Sequence, residues 1–351
     1  MELFKRFVLS IESVERRGTV KQLYKRYSFV LCTLAPVHVG NGDTYTQKEY
    51  IYENGHYYFP NMGSLYEEIQ NHGPEVVKTF EDFLMLNQNN NRRKPRLVDF
   101  LNDQRIAARG FGGYQIDETM FESEKDQRGK INEISEFIKD PYGSPYVPGS
   151  SLKGSLRTLV LNGKPNVKND NELSSIFSNI YVSDSSPISL EKLILCRKWD
   201  YSGIKMEAKG LPVYRESLRP FTVIKFEIQA CNNEAVEILD NLSKIAESVY
   251  QHYHEFFLQE FSNKYIQNNV FAPMYLGAGS GLWTKTKIDD VKLNRFKTGK
   301  YSMKRKGVLK LTKAPLVKYK EKGEIHSLIQ NNENFYEMGK SGFICRALED
   351  N

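Results

Sequence analysis

The sequence predicts an α+β fold, and three observations support this fold class. Residues 27–34 are apolar on both faces and rich in β-formers, which is typical of a buried central strand. Residues 49–59 form two short strand patterns around Asn54-Gly55, a dipeptide that favours a two-residue hairpin turn. Residues 234–266 place apolar side chains at spacings of three and four, which predicts the longest helix of the chain. Strands, hairpins and helices in this mixture indicate an α+β arrangement.

The remaining elements follow in chain order. A helix begins near Ser64, a candidate cap, and another covers 156–161. At about 150 residues per domain, 351 residues suggest two domains, which we divide near residue 190 into 1–190 and 191–351. We interpret residues from about 87 to 140 as an inserted flap, since they combine a polar loop with short apolar pieces and a charged run. Further strands are predicted at 180–183, 193–197 and 222–228, and a final apolar piece covers 342–346.

Composition excludes several classes of protein. With 40% hydrophobic and 26% charged residues, the chain is neither disordered nor collagen-like. Its four cysteines form no CxxC pair, which argues against a zinc knuckle and fits a reducing compartment. No apolar run approaches the roughly 18 residues of a membrane span, so we expect a cytoplasmic protein without membrane contact. HExxH and GxSxG motifs are missing, and we predict no catalytic residue, metal site or cofactor.

The segment 147–157, Val-Pro-Gly-Ser-Ser-Leu-Lys-Gly-Ser-Leu-Arg, is the sharpest feature. Small residues lead into a helix whose first N–H groups and dipole favour a phosphate. Its glycine spacing is close to that of a nucleotide-binding P-loop, but Ser155 stands where that loop has its lysine. The alternative is a helix start whose glycines serve the turn alone. The candidate phosphate ligands are Gly149, Ser150, Ser151, Lys153, Gly154 and Arg157.

A second glycine-rich loop, 276–287, follows the long helix. It is not a dinucleotide fingerprint, because its third glycine comes one residue early and no strand precedes it. Aromatic and basic residues interleaved here suit single-stranded nucleic acid, whose bases stack and whose phosphates meet ammonium groups. The alternative is a tight turn that packs Trp283 into the core. The candidate residues are Gly277, Gly279, Ser280, Gly281, Trp283, Lys285 and Lys287.

His38 follows the first strand, beside Gly40 and Gly42. Imidazole titrates near neutrality, so His38 is a candidate general base for RNA cleavage through a 2′-hydroxyl. A binding or hydrogen-bonding role for His38 is the favoured alternative, and we include all three residues in the predicted RNA site.

The net charge of +6 is unevenly distributed. Residues 297–322 contain ten lysines and arginines against Glu321 alone, more than the excess of the whole chain. Such a cluster indicates either a nucleic-acid contact or an ordinary solvated face. Its cations are Lys297, Lys300, Lys304, Arg305, Lys306, Lys310, Lys313, Lys318, Lys320 and Lys322.

These motifs together resemble the RAMP proteins of CRISPR systems. The resemblance rests on 37–42 (VHVGNG), 146–157 (YVPGSSLKGSLR), 211–220 (LPVYRESLRP) and the second loop with Thr284-Lys-Thr-Lys287. It spans nearly the whole chain. Among RAMPs, the chain is most similar to the member that caps the 3′ end of the CRISPR RNA in type III-A (Csm) effector complexes.

The resemblance implies two ferredoxin-like, RNA-recognition-type units whose glycine-rich loops hold the RNA backbone. It also implies partners: CRISPR RNA, neighbouring backbone RAMPs, small subunits and recruited cellular nucleases that mature the RNA. Target-cleaving RAMPs use a loop aspartate, and no counterpart is assignable here, with Asp43 and Asp103 the nearest candidates. We therefore predict binding rather than cleavage of target RNA.

Two rival hypotheses stay open at this point. In one, the chain is a metal-independent endoribonuclease that cuts repeat RNA, with His38 as base and Lys153 or Lys285 stabilising the transition state. In the other, the chain is a scaffold whose basic segment 297–322 contacts protein.

Overall fold

A computed structural model of the chain describes residues 25–86, 95–117, 129–163, 170–291 and 307–349. The helices are α1 (Met62–Asn71), α2 (Pro74–Met85), α3 (Leu97–Asp103), α4 (Gly149–Gly163), α5 (Asp170–Ser178), α6 (Asn233–Asp240) and α7 (Leu242–Phe256). The strands are β1 (Lys25–Thr33), β2 (Gly40–Thr46), β3 (Ile51–Glu53), β4 (His56–Phe59), β5 (Tyr114–Asp117), β6 (Glu133–Phe137), β7 (Ile180–Val182), β8 (Leu193–Ser202), β9 (Glu207–Leu218), β10 (Val223–Ala230), β11 (Ala272–Tyr275), β12 (Leu309–Lys313), β13 (Lys318–Glu321), β14 (Glu324–Ser327), β15 (Phe335–Glu337) and β16 (Lys340–Ala347).

A five-stranded antiparallel sheet forms the centre, in the order β11-β16-β1-β10-β7. Without β16, the chain order β1, α4, β7, β10, α7, β11 and the strand positions give a ferredoxin-like unit. β16 is added between its first and last strands. The predicted α+β class with ferredoxin-like architecture is confirmed.

β1 is buried on both faces because it separates two layers. Phe29 and Leu31 belong to the core cluster that also contains Leu156 of α4. Val30 and Cys32 point to the opposite side and pack with residues of β8 and β15. The central strand predicted at 27–34 is therefore sandwiched between helices and a second sheet.

The second sheet has the order β15-β12-β8-β9-β6-β2, and only its β6–β9 pair is parallel among the described strands. β6 comes from the stretch predicted as a flap, yet Phe137 is fully buried and β6 pairs with both neighbours. In its described part, this stretch belongs to the packed core, contrary to expectation. Its status as an insertion stays a prediction.

A smaller unit consists of β3, β4, β5 and helices α1 to α3, with its own apolar cluster that includes Leu65, Phe80 and Phe100. The predicted hairpin is present, with positive φ at Asn54 (52°) and Gly55 (79°). The cap of α1 is Asn61 rather than Ser64, because the Asn61 side chain accepts the Ser64 N–H.

The longest predicted helix is divided in the structure. α6 ends at Asp240 and α7 begins at Leu242, with Asn241 between them at φ −102° and ψ 6°. The apolar spacing continues through this break, so the sequence pattern alone did not reveal it.

A boundary near residue 190 separates β1 and β7 from β10, β11 and β16, although these strands form one sheet. One ferredoxin-like unit thus draws on both predicted halves. The assignment of separate units to 1–190 and 191–351 stays a prediction that this sheet does not support.

A buried ion pair gives the first testable prediction. The Lys340 ammonium is fully buried, 2.9 Å from a Glu337 carboxylate oxygen and 3.0 Å from the Tyr250 hydroxyl. Lys340→Met leaves that carboxylate buried without its cation, so we expect the free energy of unfolding to fall by about 3–5 kcal/mol. Urea denaturation measures this change.

The matched control is Lys264→Met, which removes the exposed ion pair between Lys264 and Glu333. It should leave the urea midpoint nearly unchanged. Equal effects of the two substitutions would contradict the prediction.

Candidate nucleic-acid interface

The two glycine-rich segments and the end of β1 meet at one groove. The groove has a volume of about 400 Å³ and lies between the first half of α4 and the loop that follows β11. Segments that are more than 100 residues apart in sequence therefore form one surface. The lining residues are Val39, Gly40, Ser150, Ser151, Gly154, Ser155, Thr158, Tyr275, Gly277, Ala278, Thr284 and Lys285.

The second loop is fixed against the end of β1. The Ala278 N–H donates to the His38 carbonyl oxygen at 2.7 Å. A Cβ at Gly277, which has φ of 82°, would lie 2.2 Å from that oxygen. A side chain at this position would separate the two segments, so the close contact requires glycine.

Gly154 has a different setting, because the space that a side chain would enter is open. It is exposed within α4, and a Cβ built there meets no atom within 4 Å. Glycine in a helix interior costs about 1 kcal/mol relative to alanine. No packing requirement among the described residues explains this cost.

Gly149 at the start of the same helix is a structural residue. A Cβ there would lie 2.3 Å from the Val182 carbonyl oxygen. Its N–H donates to the Asp184 carboxylate at 2.7 Å. The prediction that a phosphate occupies the first N–H of this helix is therefore wrong for Gly149, because an acidic side chain already caps it.

Lys153 and Arg157 lie on another face of α4 and do not line the groove. The Lys153 ammonium lies 5.8 Å from the centre of the Tyr181 ring, and Arg157 donates to the Ser174 hydroxyl at 2.9 Å. Partial burial and the neighbouring Arg157 lower the pKa of Lys153. Any contact of these two cations with RNA would thus occur outside the groove.

His38 is only 4% exposed. Its Nδ1 lies 2.6 Å from the Glu216 carbonyl oxygen, and because a carbonyl only accepts, Nδ1 carries the proton. Burial, together with the charges of Arg215 and Lys139, lowers the pKa of His38 to about 4. The ring is therefore neutral at pH 7 and holds β9 against the end of β1, which favours the hydrogen-bonding role over that of general base.

Trp283 is 5% exposed and stacks on Phe257, with ring centroids 5.1 Å apart. The prediction of an exposed stacking face at Trp283 is wrong, because its ring packs against the aromatic end of α7. Ser280 is also buried, and its hydroxyl accepts a hydrogen bond from Thr284. Lys287 does not line the groove, whereas Lys285 does.

The other predicted glycines fall into two groups. Gly279 and Gly281 have φ of 95° and 105° in the second loop, where the tight bends require it. Gly42 is exposed on β2 with φ of 105°, and like Lys287 it lies outside the lining of the groove.

Sequence reasoning missed Arg215 and Lys198, two cations whose charges act together with that of the predicted Lys285. The Arg215 guanidinium donates to the Ala278 carbonyl oxygen at 3.3 Å and has no carboxylate partner among the described residues. Burial lowers the pKa of Arg215. Burial and the Arg215 charge also lower the pKa of Lys285. Burial and the charges of Lys310 and Arg215 also lower the pKa of Lys198. Cations that are close together and partly desolvated create a strong positive potential.

The basic segment 297–322 is described only from residue 307 onwards. Its first five cations lie outside the described residues. Lys310 pairs with Asp200 at 2.9 Å, and the Lys313 ammonium lies 4.8 Å from the Trp199 ring. The exposed cations of this segment are Lys318, Lys320 and Lys322, on or beside the β13–β14 hairpin.

Among the described residues, no three His, Cys, Asp or Glu side chains are placed to hold a metal ion. None of the described helices is long and apolar enough to cross a membrane.

Comparison with known families defines the class of protein. A family model described as the RAMP superfamily matches residues 31–295. This range contains the groove, both glycine-rich segments and, of the five-stranded sheet, the end of β1 with β7, β10 and β11.

The match extends to particular relatives. "CRISPR system Cms protein Csm5" from Streptococcus thermophilus is 44% identical over 359 residues, which cover 94% of this chain and 100% of the relative. The protein of the same name from Mycobacterium tuberculosis is 28% identical and covers 76% of this chain and 84% of its own. The chain therefore belongs to the RAMP superfamily and, within it, to the Csm5 family.

Two solved structures share the fold. One is a chain of a Csm–crRNA–target RNA ternary complex from a type III-A CRISPR-Cas system, with a TM-score of 0.58, 17% identity and coverage of 92% of this chain and 100% of that chain. The other is T. onnurineus Csm5, with a TM-score of 0.56, 16% identity and coverage of 89% and 99%.

The opposite settings of two glycines in α4 lead to a prediction about stability. Gly149→Ala forces a Cβ into backbone carbonyls, so the free energy of unfolding should fall by about 1–3 kcal/mol. Gly154→Ala enters open space and should raise it by up to about 1 kcal/mol.

Chemical denaturation of the two variants beside the wild type measures both signs. A loss of stability in Gly154→Ala would show that the helix needs glycine there for its own packing, and would contradict our interpretation of this position.

Proposed function

We propose that the chain is an RNA-binding structural subunit of a type III-A (Csm) CRISPR effector complex. In this proposal, the groove between α4 and the second loop holds the sugar-phosphate backbone of the CRISPR RNA. The 44% identity to a Csm5 protein and the fold shared with a chain of a Csm–crRNA–target RNA complex support this assembly.

The observation that carries the RNA groove is the glycine at position 154. The helix surface has no side chain at Gly154, so a polynucleotide backbone can approach it closely. Hydroxyl groups before and after Gly154 in the helix supply hydrogen bonds to phosphate oxygens. Ser150, Ser151 and Ser155 provide these hydroxyls on the same wall of the groove.

The cations under the second loop provide the charge. Lys285 lies on the groove, and Arg215 stands directly behind Ala278. A partly buried cation without a carboxylate partner is costly, and an incoming phosphate offsets that cost.

We further propose that the subunit binds at the 3′ end of the CRISPR RNA, next to a backbone RAMP and the small subunits, and works in the cytoplasm. Its part in RNA maturation is to present the end of the RNA to recruited nucleases. The motifs at 37–42 and 146–157 support this role through their similarity to capping RAMPs.

We infer that the chain does not cut RNA itself. A general base must reach the 2′-hydroxyl of its substrate, and the 4% exposure of His38 disfavours such contact. The Nδ1 bond to Glu216 and the low pKa of His38 fit a residue that joins strands.

The substitution Gly154→Leu tests the groove. Its side chain enters space that is empty in the protein alone, so folding is preserved while the RNA backbone is displaced. We expect binding of single-stranded RNA to weaken about tenfold or more, equivalent to about 1.4 kcal/mol. Fluorescence anisotropy with a labelled repeat-derived RNA measures the affinity.

The control is Ser248→Leu, an equally exposed position on α7 outside the groove. Unchanged RNA affinity in Gly154→Leu would refute the groove as the RNA site.

The substitution Arg215→Gln tests whether the Arg215 charge contributes to RNA binding. Glutamine keeps a donor for the Ala278 carbonyl but lacks the charge. For single strands, the slope of log affinity against log salt becomes shallower by about 0.7 for each phosphate that the protein no longer neutralises. We expect a change of about this size in the variant, together with weaker binding at low salt.

Lys264→Gln serves as the control, because the Lys264 ammonium is paired with Glu333. If both variants keep the wild-type slope, Arg215 does not face the bound phosphates.

A further inference from the structure

Helices α4 and α7 pack against each other and leave a pocket beside their contact. At Gly163 they nearly touch, since a Cβ there would lie 2.5 Å from Ile245 Cγ2. Next to this contact lies a pocket of about 50 Å³, or about 420 Å³ when the open space at its mouth is included. β11 forms the floor of this pocket.

The pocket opens onto the proposed RNA groove. Four residues line both spaces: Ser155, Thr158, Tyr275 and Thr284. The groove offers hydroxyls and a cation, whereas the interior of the pocket is aromatic and aliphatic. A ligand that occupies both therefore needs a charged backbone and a flat, mostly apolar appendage.

The aromatic walls are held rigidly by their neighbours. Tyr253 meets Tyr275 edge-on, with ring centroids 5.6 Å apart. Trp283, which stacks on Phe257, forms another wall. Although Trp283 is no exposed platform, one side of its ring faces this pocket. Rigid aromatic walls are suited to a planar ring, which gains stacking energy without ordering loose side chains.

Polar groups around the pocket match the edge of a base. The Tyr250 hydroxyl accepts a hydrogen bond from Lys340 at 3.0 Å, so its own proton is available to a ligand. Burial raises the pKa of Tyr250, which keeps that proton in place. At the mouth, the Thr284 hydroxyl donates to Ser280 and retains its capacity as an acceptor.

We propose that this pocket binds one nucleobase of the RNA strand whose phosphates lie in the groove. The proposal rests on the proposed function, since the strand must first lie along α4. Stacking recognises any base through its π-face, so the pocket would anchor the position of the strand more than read its sequence.

Abasic scanning tests the pocket directly. The full chain is titrated with single-stranded RNAs that each lack the base at one position, and affinity is measured by fluorescence anisotropy. We expect removal of the base at a single position to weaken binding about fivefold or more, while removal at adjacent positions has little effect. The loss should be restricted to the nucleotide that reaches the pocket.

A variant whose pocket is filled by a larger side chain provides the second test. Val249 lines the pocket but not the groove, and Val249→Phe places a ring where the base would lie. In this variant, the intact RNA should bind as weakly as the abasic RNA, and the abasic penalty should disappear. The matched control, Ser248→Phe on the exposed side of α7, should retain the penalty.

Crosslinking makes the test independent of how Val249→Phe folds. RNA with 4-thiouridine at the sensitive position is irradiated on the wild-type chain, and the crosslinked peptide is identified by mass spectrometry. A crosslink to Tyr250, Tyr275 or Trp283 supports the pocket. RNA that binds without a sensitive position, or that crosslinks elsewhere, overturns it and leaves the proposed function standing. Absence of RNA binding by the wild type overturns the proposed function as well.

Discussion

The hydrogen bond from the Ala278 N–H to the His38 carbonyl oxygen is the contact on which the interface depends. It joins the loop after β11 to the segment that follows β1. Two further backbone hydrogen bonds continue this contact: the Leu276 N–H donates to the Gly339 carbonyl oxygen, and the Gly339 N–H donates to the Pro36 carbonyl oxygen. Buried backbone groups must be paired, so three distant segments are held together without side chains. Close backbone contact at Gly277 leaves no room for a side chain, which explains the glycine at this position.

Two buried carboxylates are paired with lysines, whereas Arg215 has no carboxylate partner among the described residues. Lys139 bonds the buried Glu216 carboxylate at 2.8 Å, just as Lys340 bonds Glu337. Arg215, which follows the core residue Tyr214, has no such carboxylate among the described residues. Under the proposed function, an RNA phosphate would supply the missing anion. The net charge of +6 does not express this, because it is the placement of charge that matters.

The sequence predicted those elements that depend on a few neighbouring residues. Asn54-Gly55 produced its hairpin, and the apolar run of β1 produced a central strand. The sequence did not predict which helix face meets the groove: the spacing of Lys153 and Arg157 places them on one face, but tertiary packing turned the face with Ser151 and Ser155 inward. Arg215 was missed for the same reason, because its position in a strand does not reveal what lies opposite. The burial of Trp283 likewise depends on Phe257, which comes from a different element.

The three glycines of α4 differ in what a side chain would meet at each position. Gly149 is required by the carbonyl oxygens of Val182 and Ser183, and Gly163 by the side chains of α7. Gly154 lies between them and is required by nothing within 4 Å. A helix gains stability when such a glycine becomes alanine, so the packing of the described residues does not account for Gly154. Under the proposed function, the RNA backbone does. The aromatic pocket beside the groove then provides a place for one of the bases that the backbone carries.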